Sequence, residues 1–377
     1  MRKFTIARIW GIPIRISVSL LVFLPVLTWL IGSGGQIELY AGYIEGLSGV
    51  GFDLAALRTG STPWVIGFLA AIGLFVSVTL HELGHSWAAL RYGLEIESIT
   101  LWILGGIASL TSIPREWDRE FWIAIAGPAV SVLVAAVCYG GLLVAPASLH
   151  VPRFVLGWLV VANLTLTAFN LLPAFPMDGG RVLRALLARS RPYESATRIA
   201  ARVGVIFAVL FAVLGVLGFN VILILLALFI YGAATTESRT VMIDGLLEGI
   251  TVDDIMTRDP STVPADASID DLLDRMLRER QTVFPVTDGG DVVGVVSLED
   301  LQRAHKRDRT ATIRSVVQDV PRVAPGDDAF DTLAALHGAK VTRALVEEDG
   351  RLRGVLSESD YAHALTVQRG FGASVAA

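Results

Sequence analysis

The chain has 377 residues, 53% of them hydrophobic and only 18% charged, with a mean hydropathy of +0.59 and a formal net charge of −5. A soluble chain carries about 25% charged residues, so an ordinary soluble protein is excluded; the abundance of Leu, Val and Ile excludes a disordered one. The negative net charge leaves no electrostatic footprint for nucleic acid. The charges are uneven: 30 fall in residues 1–249 (net +2) and 37 in residues 250–377 (net −7). Two solvents are implied, lipid first and water second.

A bilayer core is about 30 Å thick and asks for about 20 mostly apolar residues per helical span. Taken in order, runs of that kind are Ile16–Ser33, Trp64–Tyr92, Phe121–Pro146, Arg153–Leu172, Ala201–Leu217 and Phe219–Ala233. Only Gly218 separates the last two. They read as a helical hairpin, because one helix rising about 1.5 Å per residue through both would overshoot a single span. Arg2, Lys3 and Arg8 precede the first run as in a signal peptide. The sequence that follows, Ile31-Gly32-Ser33-Gly34-Gly35, offers no A-x-A-like cleavage site, so a retained span is expected. Lys and Arg in short loops number 13 on one side and 2, Arg58 and Arg153, on the other. The positive-inside rule then puts six spans in the cell membrane with both termini in the cytoplasm. The basic cluster from Arg181 to Arg202 is covered by the same rule. Cys138, the single cysteine, lies in an apolar run and reads as packing.

Residues 250–377 contain a repeat. Gly294-Val-Val-Ser297-Leu-Glu-Asp300 returns as Gly354-Val-Leu-Ser357-Glu-Ser-Asp360. Each copy follows a short apolar strand (Thr282–Val286; Arg343–Val346) and a turn, and each has an amphipathic helix upstream (Ile269–Leu277; Phe330–Leu336). Two tandem α/β units result, about 253–305 and 314–365, which should bury a shared face and leave symmetric clefts.

The strongest chemical signal is His81-Glu82-Leu83-Gly84-His85. On a helix the two imidazoles are one turn apart on one face, a spacing that holds one zinc ion, and Glu82 can take a proton from water there. The motif lies inside a long apolar run, where ionisable residues are expensive and functional by default. The rival reading is an inward His pair on a transporter's ion path. A catalytic zinc needs three protein ligands and an open position. His150 falls on the opposite face by topology, so a carboxylate must serve. Asp178, in Asn170-Leu-Leu-Pro173-Ala-Phe-Pro176-Met-Asp178-Gly179-Gly180, is the best candidate; its rival role is a capping turn residue. Asn170 could donate to a substrate carbonyl or simply bond neighbouring backbone. Glu97–Ile103 and Ile107–Ile113, joined through Gly105-Gly106, read as a hairpin beside the membrane. It could accept an extended substrate as an added strand, or only pack. Gly127-Pro128 suggests a kink or a close helix approach rather than chemistry.

Together these residues resemble the site-2 protease family of intramembrane zinc metalloproteases, over residues 1–235: His81-Glu-x-x-His85, the Gly105-Gly106 hairpin, Gly127-Pro128 and Asn170…Pro173…Asp178-Gly179. The resemblance implies a polytopic α-helical membrane domain, 1–249, with one zinc ion held by His81, His85 and Asp178. It implies Glu82 as general base, Asn170 as a substrate or transition-state contact, and a membrane-spanning protein as substrate. No PDZ-like insert is apparent. Residues 250–377 are similar to a CBS-domain pair. That similarity implies a cytoplasmic regulatory module, association into a homodimer, and an adenine nucleotide held near Ser297, Asp300, Ser357 and Asp360. The alternatives are a CBS-regulated transporter or channel and a catalytically dead scaffold; the intact ligand set argues against the second.

Overall fold

The computed structural model describes residues 3–33, 35–103, 105–110, 114–279, 281–305 and 312–375. These divide into two compact units, Met1–Arg239 and Thr240–Ala377.

The first unit begins with a feature absent from the sequence reading. Strands β1 (Lys3–Ile9) and β2 (Ile12–Ser17) form an antiparallel hairpin where a loop was expected. Helices α1 (Val18–Gly32), α2 (Gln36–Ser48), α3 (Leu54–Arg58) and α4 (Thr62–Arg91) follow. Strands β3 (Ile96–Trp102) and β4 (Gly105–Leu110) form the expected second hairpin; Leu104 and residues 111–113 of that expectation lie outside the described residues. The four strands make one sheet in the order β1-β2-β3-β4, with β2 and β3 parallel. The chain continues through α5 (Trp117–Val144), α6 (His150–Asn170), α7 (Asp178–Ala188), α8 (Tyr193–Leu217) and α9 (Val221–Leu247).

Five described helices, α4, α5, α6, α8 and α9, are long and apolar enough to cross a bilayer. The first expected span is the exception. Helix α1 has 15 residues and is followed by α2 at a 70° bend, so a sixth span exists only if this pair counts as one. The last two spans are separate helices, as a hairpin requires. Both outrun their apolar windows, α8 beginning at Tyr193 and α9 continuing to Leu247, because charged residues such as Arg198 and Asp244 can extend a helix beyond the apolar stretch. Large side chains such as Val137, Leu217 and Ile222 are exposed on these helices, a surface that suits lipid rather than water. Helix α4 is central and packs on α1, α5 and α6. Gly84 permits its approach to α5: a Cβ there would lie 2.8 Å from the Ala126 carbonyl oxygen.

The second unit contains α10 (Val252–Ile255), β5 (Thr257–Arg258), β6 (Val263–Pro264), α11 (Ile269–Glu279), β7 (Val283–Asp288), β8 (Asp291–Ser297) and α12 (Leu298–His305). A second copy follows: a 3-10 turn, then β9 (Arg322–Val323), α13 (Ala329–Ala339), β10 (Arg343–Glu348), β11 (Arg351–Ser357) and α14 (Glu358–Val375). The copies have matching cores: Phe284, Val286, Val296 and Leu301 in one, Ala344, Val346, Leu356 and Tyr361 in the other. Val295, Leu345 and Val355 bury a shared face. Each lead-in segment crosses to the other copy. β5 pairs with β11, and Gln318 bridges to Val295. This explains the glycine of the repeated motif: a Cβ on Gly294 would lie 2.4 Å from the Gln318 carbonyl oxygen, and one on Gly354 would lie 2.8 Å from that of Thr257.

Candidate metal centre

Three segments converge in the first unit. Helix α4 carries His81 and His85 on one face, both buried. Helix α6 ends at Asn170, two residues before the end of the expected apolar run, and residues 171–177 turn the chain so that α7 starts on Asp178. The turn is tight enough that a Cβ on Gly179 would lie 2.3 Å from the Leu172 carbonyl oxygen. Asp178 is thus the first residue of a helix rather than a loop residue.

The ligand atoms form a small triangle. His81 Nε2 and His85 Nε2 are 3.1 Å apart, and each is 3.2 Å from Asp178 Oδ2. Two donors in a tetrahedral zinc site, each about 2.0–2.1 Å from the metal, are separated by about 3.3 Å, so the triangle has the dimensions of one tetrahedral face. The far side of each ring supports this. His85 Nδ1 is 2.7 Å from the Ile123 carbonyl oxygen on α5. A carbonyl can only accept, so Nδ1 carries the proton and the neutral ring turns a lone pair on Nε2 toward the triangle. His81 Nδ1 is 2.9 Å from Ser131 Oγ, which can accept in the same way. The donor set and its outer hydrogen bonds fit a zinc ion.

A cavity of about 620 Å³ opens on this triangle. His81, Glu82, His85, Asn170, Asp178, Gly105 and Gly106 all line it, so the candidate ligand, catalytic and substrate-contact residues of the membrane domain share one cavity. Gly106 sits against Glu82: a Cβ there would lie 2.4 Å from Glu82 Cγ. Leu166, Phe169, Met177, Leu226 and Phe229 supply apolar walls.

Several contributors were not visible in the sequence. Ile123 acts through its backbone, and Ser131 is one serine in an apolar run. Gly127, expected to mark a kink or a close helix approach rather than chemistry, lies against the His85 ring: a Cβ there would lie 2.2 Å from His85 Nε2. Asn163 on α6 donates to Ser77 on α4 at 3.0 Å, joining the two helices one turn before His81. Arg184 and Glu120 are 1% and 0% exposed and bonded to each other. The Arg184 charge is thus buried and paired.

In the second unit the four polar repeat residues sit at helix starts. Ser297 and Asp300 form a reciprocal cap on α12: the Ser297 N–H and Oγ–H donate to Asp300 Oδ2 at 3.1 and 2.6 Å, and the Asp300 N–H donates to Ser297 Oγ. Ser357 donates to Asp360 in the same way. The copies then diverge. Asp300 also accepts from Arg343 at 3.0 Å, whereas Asp360 accepts from Thr257 at 2.9 Å. Two clefts lie here, one of about 330 Å³ lined by Ser297, Arg343 and Ser357, and one of about 250 Å³ lined by Thr257, Ser357 and Asp360.

Apolar helices of bilayer length around a His-His-Asp cavity define a membrane metallopeptidase type of site. Residues 69–149 and 145–211 match Peptidase family M50, and residues 252–307 and 313–367 match the CBS domain. The zinc metalloprotease MJ0392 of Methanocaldococcus jannaschii is 36% identical over 362 residues, 96% of this chain and 95% of its own. Rip3 of Mycobacterium tuberculosis is 32% identical over 384 residues, 97% of this chain and 93% of its own. A solved site-2 protease from Methanocaldococcus jannaschii covers 63% of this chain and 95% of its own, at 36% identity and a TM-score of 0.42. The chain belongs to the site-2 protease family of zinc metalloproteases, Peptidase family M50, and carries a CBS-domain pair at its C-terminal end.

Proposed function

We propose that the protein is an intramembrane endopeptidase that hydrolyses a peptide bond of a membrane-spanning protein within the bilayer. His81, His85 and Asp178 hold one zinc ion, and Glu82 is the general base. The observation that carries this reading is the triangle of ligand atoms, 3.1–3.2 Å on each side, in one cavity with Glu82 among helices of bilayer length. Bound zinc supplies Lewis acidity to the scissile carbonyl and to the attacking water. Glu82 takes the proton from that water and passes it to the leaving amide nitrogen as the C–N bond breaks. The Asn170 amide donates to the substrate carbonyl and holds it in line.

A helical substrate shields its amides in its own hydrogen bonds, so the cleaved segment must be extended. Strand β4 is an edge of its sheet and begins at Gly105-Gly106 in the cavity wall, which supports strand addition as the way the substrate backbone is held. The distribution of Lys and Arg supports cytoplasmic termini. Residues 250–377 are a cytoplasmic regulator that binds an adenine nucleotide in the clefts beside Ser297, Asp300, Ser357 and Asp360, and that pairs with a second copy.

The test compares membrane-protein fragments in cells making wild type or Glu82→Gln, alongside elemental analysis of both purified proteins. Glu82→Gln should keep one zinc per chain and lose cleavage by at least the roughly 10²–10⁴-fold that general base catalysis contributes. A fully active Glu82→Gln protein, or wild type without zinc, sinks the reading.

A further inference from the structure

Arg184 is the largest fully buried side chain in the molecule among the described residues, and it does not line the metal cavity. Its guanidinium joins three elements. Nε donates to Glu120 Oε1 on α5 at 2.8 Å, Nη2 donates to the same oxygen, and Nη1 donates to Glu237 Oε1 on α9. Its carbon lies 5.0 Å from the ring centre of Phe175 and 4.9 Å from that of Tyr193. A buried charge survives only when paired and bonded in this way, so these elements meet at one geometrically demanding point.

Two of these contacts, Glu120 and Phe175, adjoin the ligand set. Glu120 lies one turn before Ile123 on α5, and the Ile123 carbonyl holds His85. Phe175 belongs to the turn that delivers Asp178 and is 2% exposed. Arg184 follows Asp178 on the same helix, about 9 Å further along its axis. Glu237 belongs to α9, the helix that supplies Leu226 and Phe229 to the cavity wall. The ion pair therefore sets the distance between the start of α7 and the helix that orients His85.

We propose that Arg184 is a positioning residue: anchored on Glu120, it holds the Asp178 carboxylate in register with His81 and His85, and Glu237 brings α9 into the same clamp. This rests on the zinc reading above and extends it to residues that touch neither metal nor substrate. Lysine would keep the charge but lose the planar fork and the ring stacking, so a clamp that works by geometry fails with lysine while simple charge balance does not.

The test uses the purified full-length chain as wild type, Arg184→Lys, Glu237→Gln and the double variant Arg184→Met with Glu120→Gln, which removes both members of the fully buried pair and leaves only the partly exposed Glu237 without that partner. Zinc affinity is measured by chelator competition, ligand geometry by the visible absorption of the cobalt-substituted protein, and folding by thermal unfolding. Folded Arg184→Lys and the folded double variant should lose about 10–100-fold in zinc affinity, the range seen when outer-shell support of a metal site is removed. Their cobalt bands should shift, and Glu237→Gln should move both readouts less, in the same direction. If lysine prevents folding, the double variant and Glu237→Gln decide. Folded variants with wild-type affinity and an unchanged cobalt spectrum overturn this proposal alone. A wild-type chain that takes up neither metal overturns the zinc reading and this proposal with it.

Discussion

In the first unit the Arg184–Glu120 pair is 1% and 0% exposed, whereas in the second unit Arg322 and Glu347 meet at 50% and 23% exposure. The same ion-pair chemistry has different consequences in the two places. In water an exposed pair exchanges hydration for a weak, screened attraction and contributes about 0–1 kcal/mol. Among apolar helices a charge without its partner is several kcal/mol out of place, so each buried one specifies a geometry. The first unit uses few charges and makes the buried ones constraints. The second unit uses many, and relies for its shape on the duplicated apolar core and the crossed lead-in strands.

That contrast can be broken or sharpened by substitution. The largest effect should come from Asp178→Ala, which removes one corner of the ligand triangle. Zinc affinity should fall by more than the roughly 10–100-fold of an outer-shell change, and cleavage should vanish with it; elemental analysis and a cleavage assay report the two losses. Gly127→Ala comes next. Its methyl would occupy the place of the His85 ring, so we expect about 1–3 kcal/mol of overpacking strain and weakened zinc binding, read by thermal unfolding and chelator competition. In the second unit, Tyr361→Phe removes the hydroxyl that donates to the Ala329 carbonyl at 2.9 Å. It should cost about 0.5–1.5 kcal/mol in the unfolding of that unit and leave zinc affinity at the wild-type level. Arg322→Ala should be smallest, within about 0–1 kcal/mol by chemical unfolding and reduced further at high salt. A large penalty for Arg322→Ala would erase the distinction between the two units.

Much of the architecture was legible because its signals are local. The long apolar runs, the period-two strands and the Gly-x-x-Ser-x-x-Asp repeat are each read within a short window, and all three correspond to elements of the structure. The β1–β2 hairpin was missed because Lys3, Arg8 and Arg15 were counted as loop charges, although the intervening Ile and Phe residues alternate. The bend after α1 was missed because an apolar run does not say where its helix stops. Helix α7 and the first turns of α8 were hidden for the converse reason: their charges marked a break between lipid-soluble runs, and a helix needs no lipid to form.

By itself the sequence determined that the chain is part lipid-soluble and part water-soluble, that the second part is duplicated, and that His81 and His85 share a helix face. Each follows from composition or from spacings of a few residues. Only the tertiary structure decided that Asp178, 97 residues beyond His81, completes the triangle. It alone showed that the Ile123 carbonyl fixes the His85 tautomer, that Ser131 meets the far side of the His81 ring, that Gly127 makes room for His85, and that Arg184 is buried between two carboxylates. Those are relations between distant segments, made by backbone carbonyls, by space left empty, and by charges whose meaning depends on what surrounds them. None of these leaves a pattern along the chain.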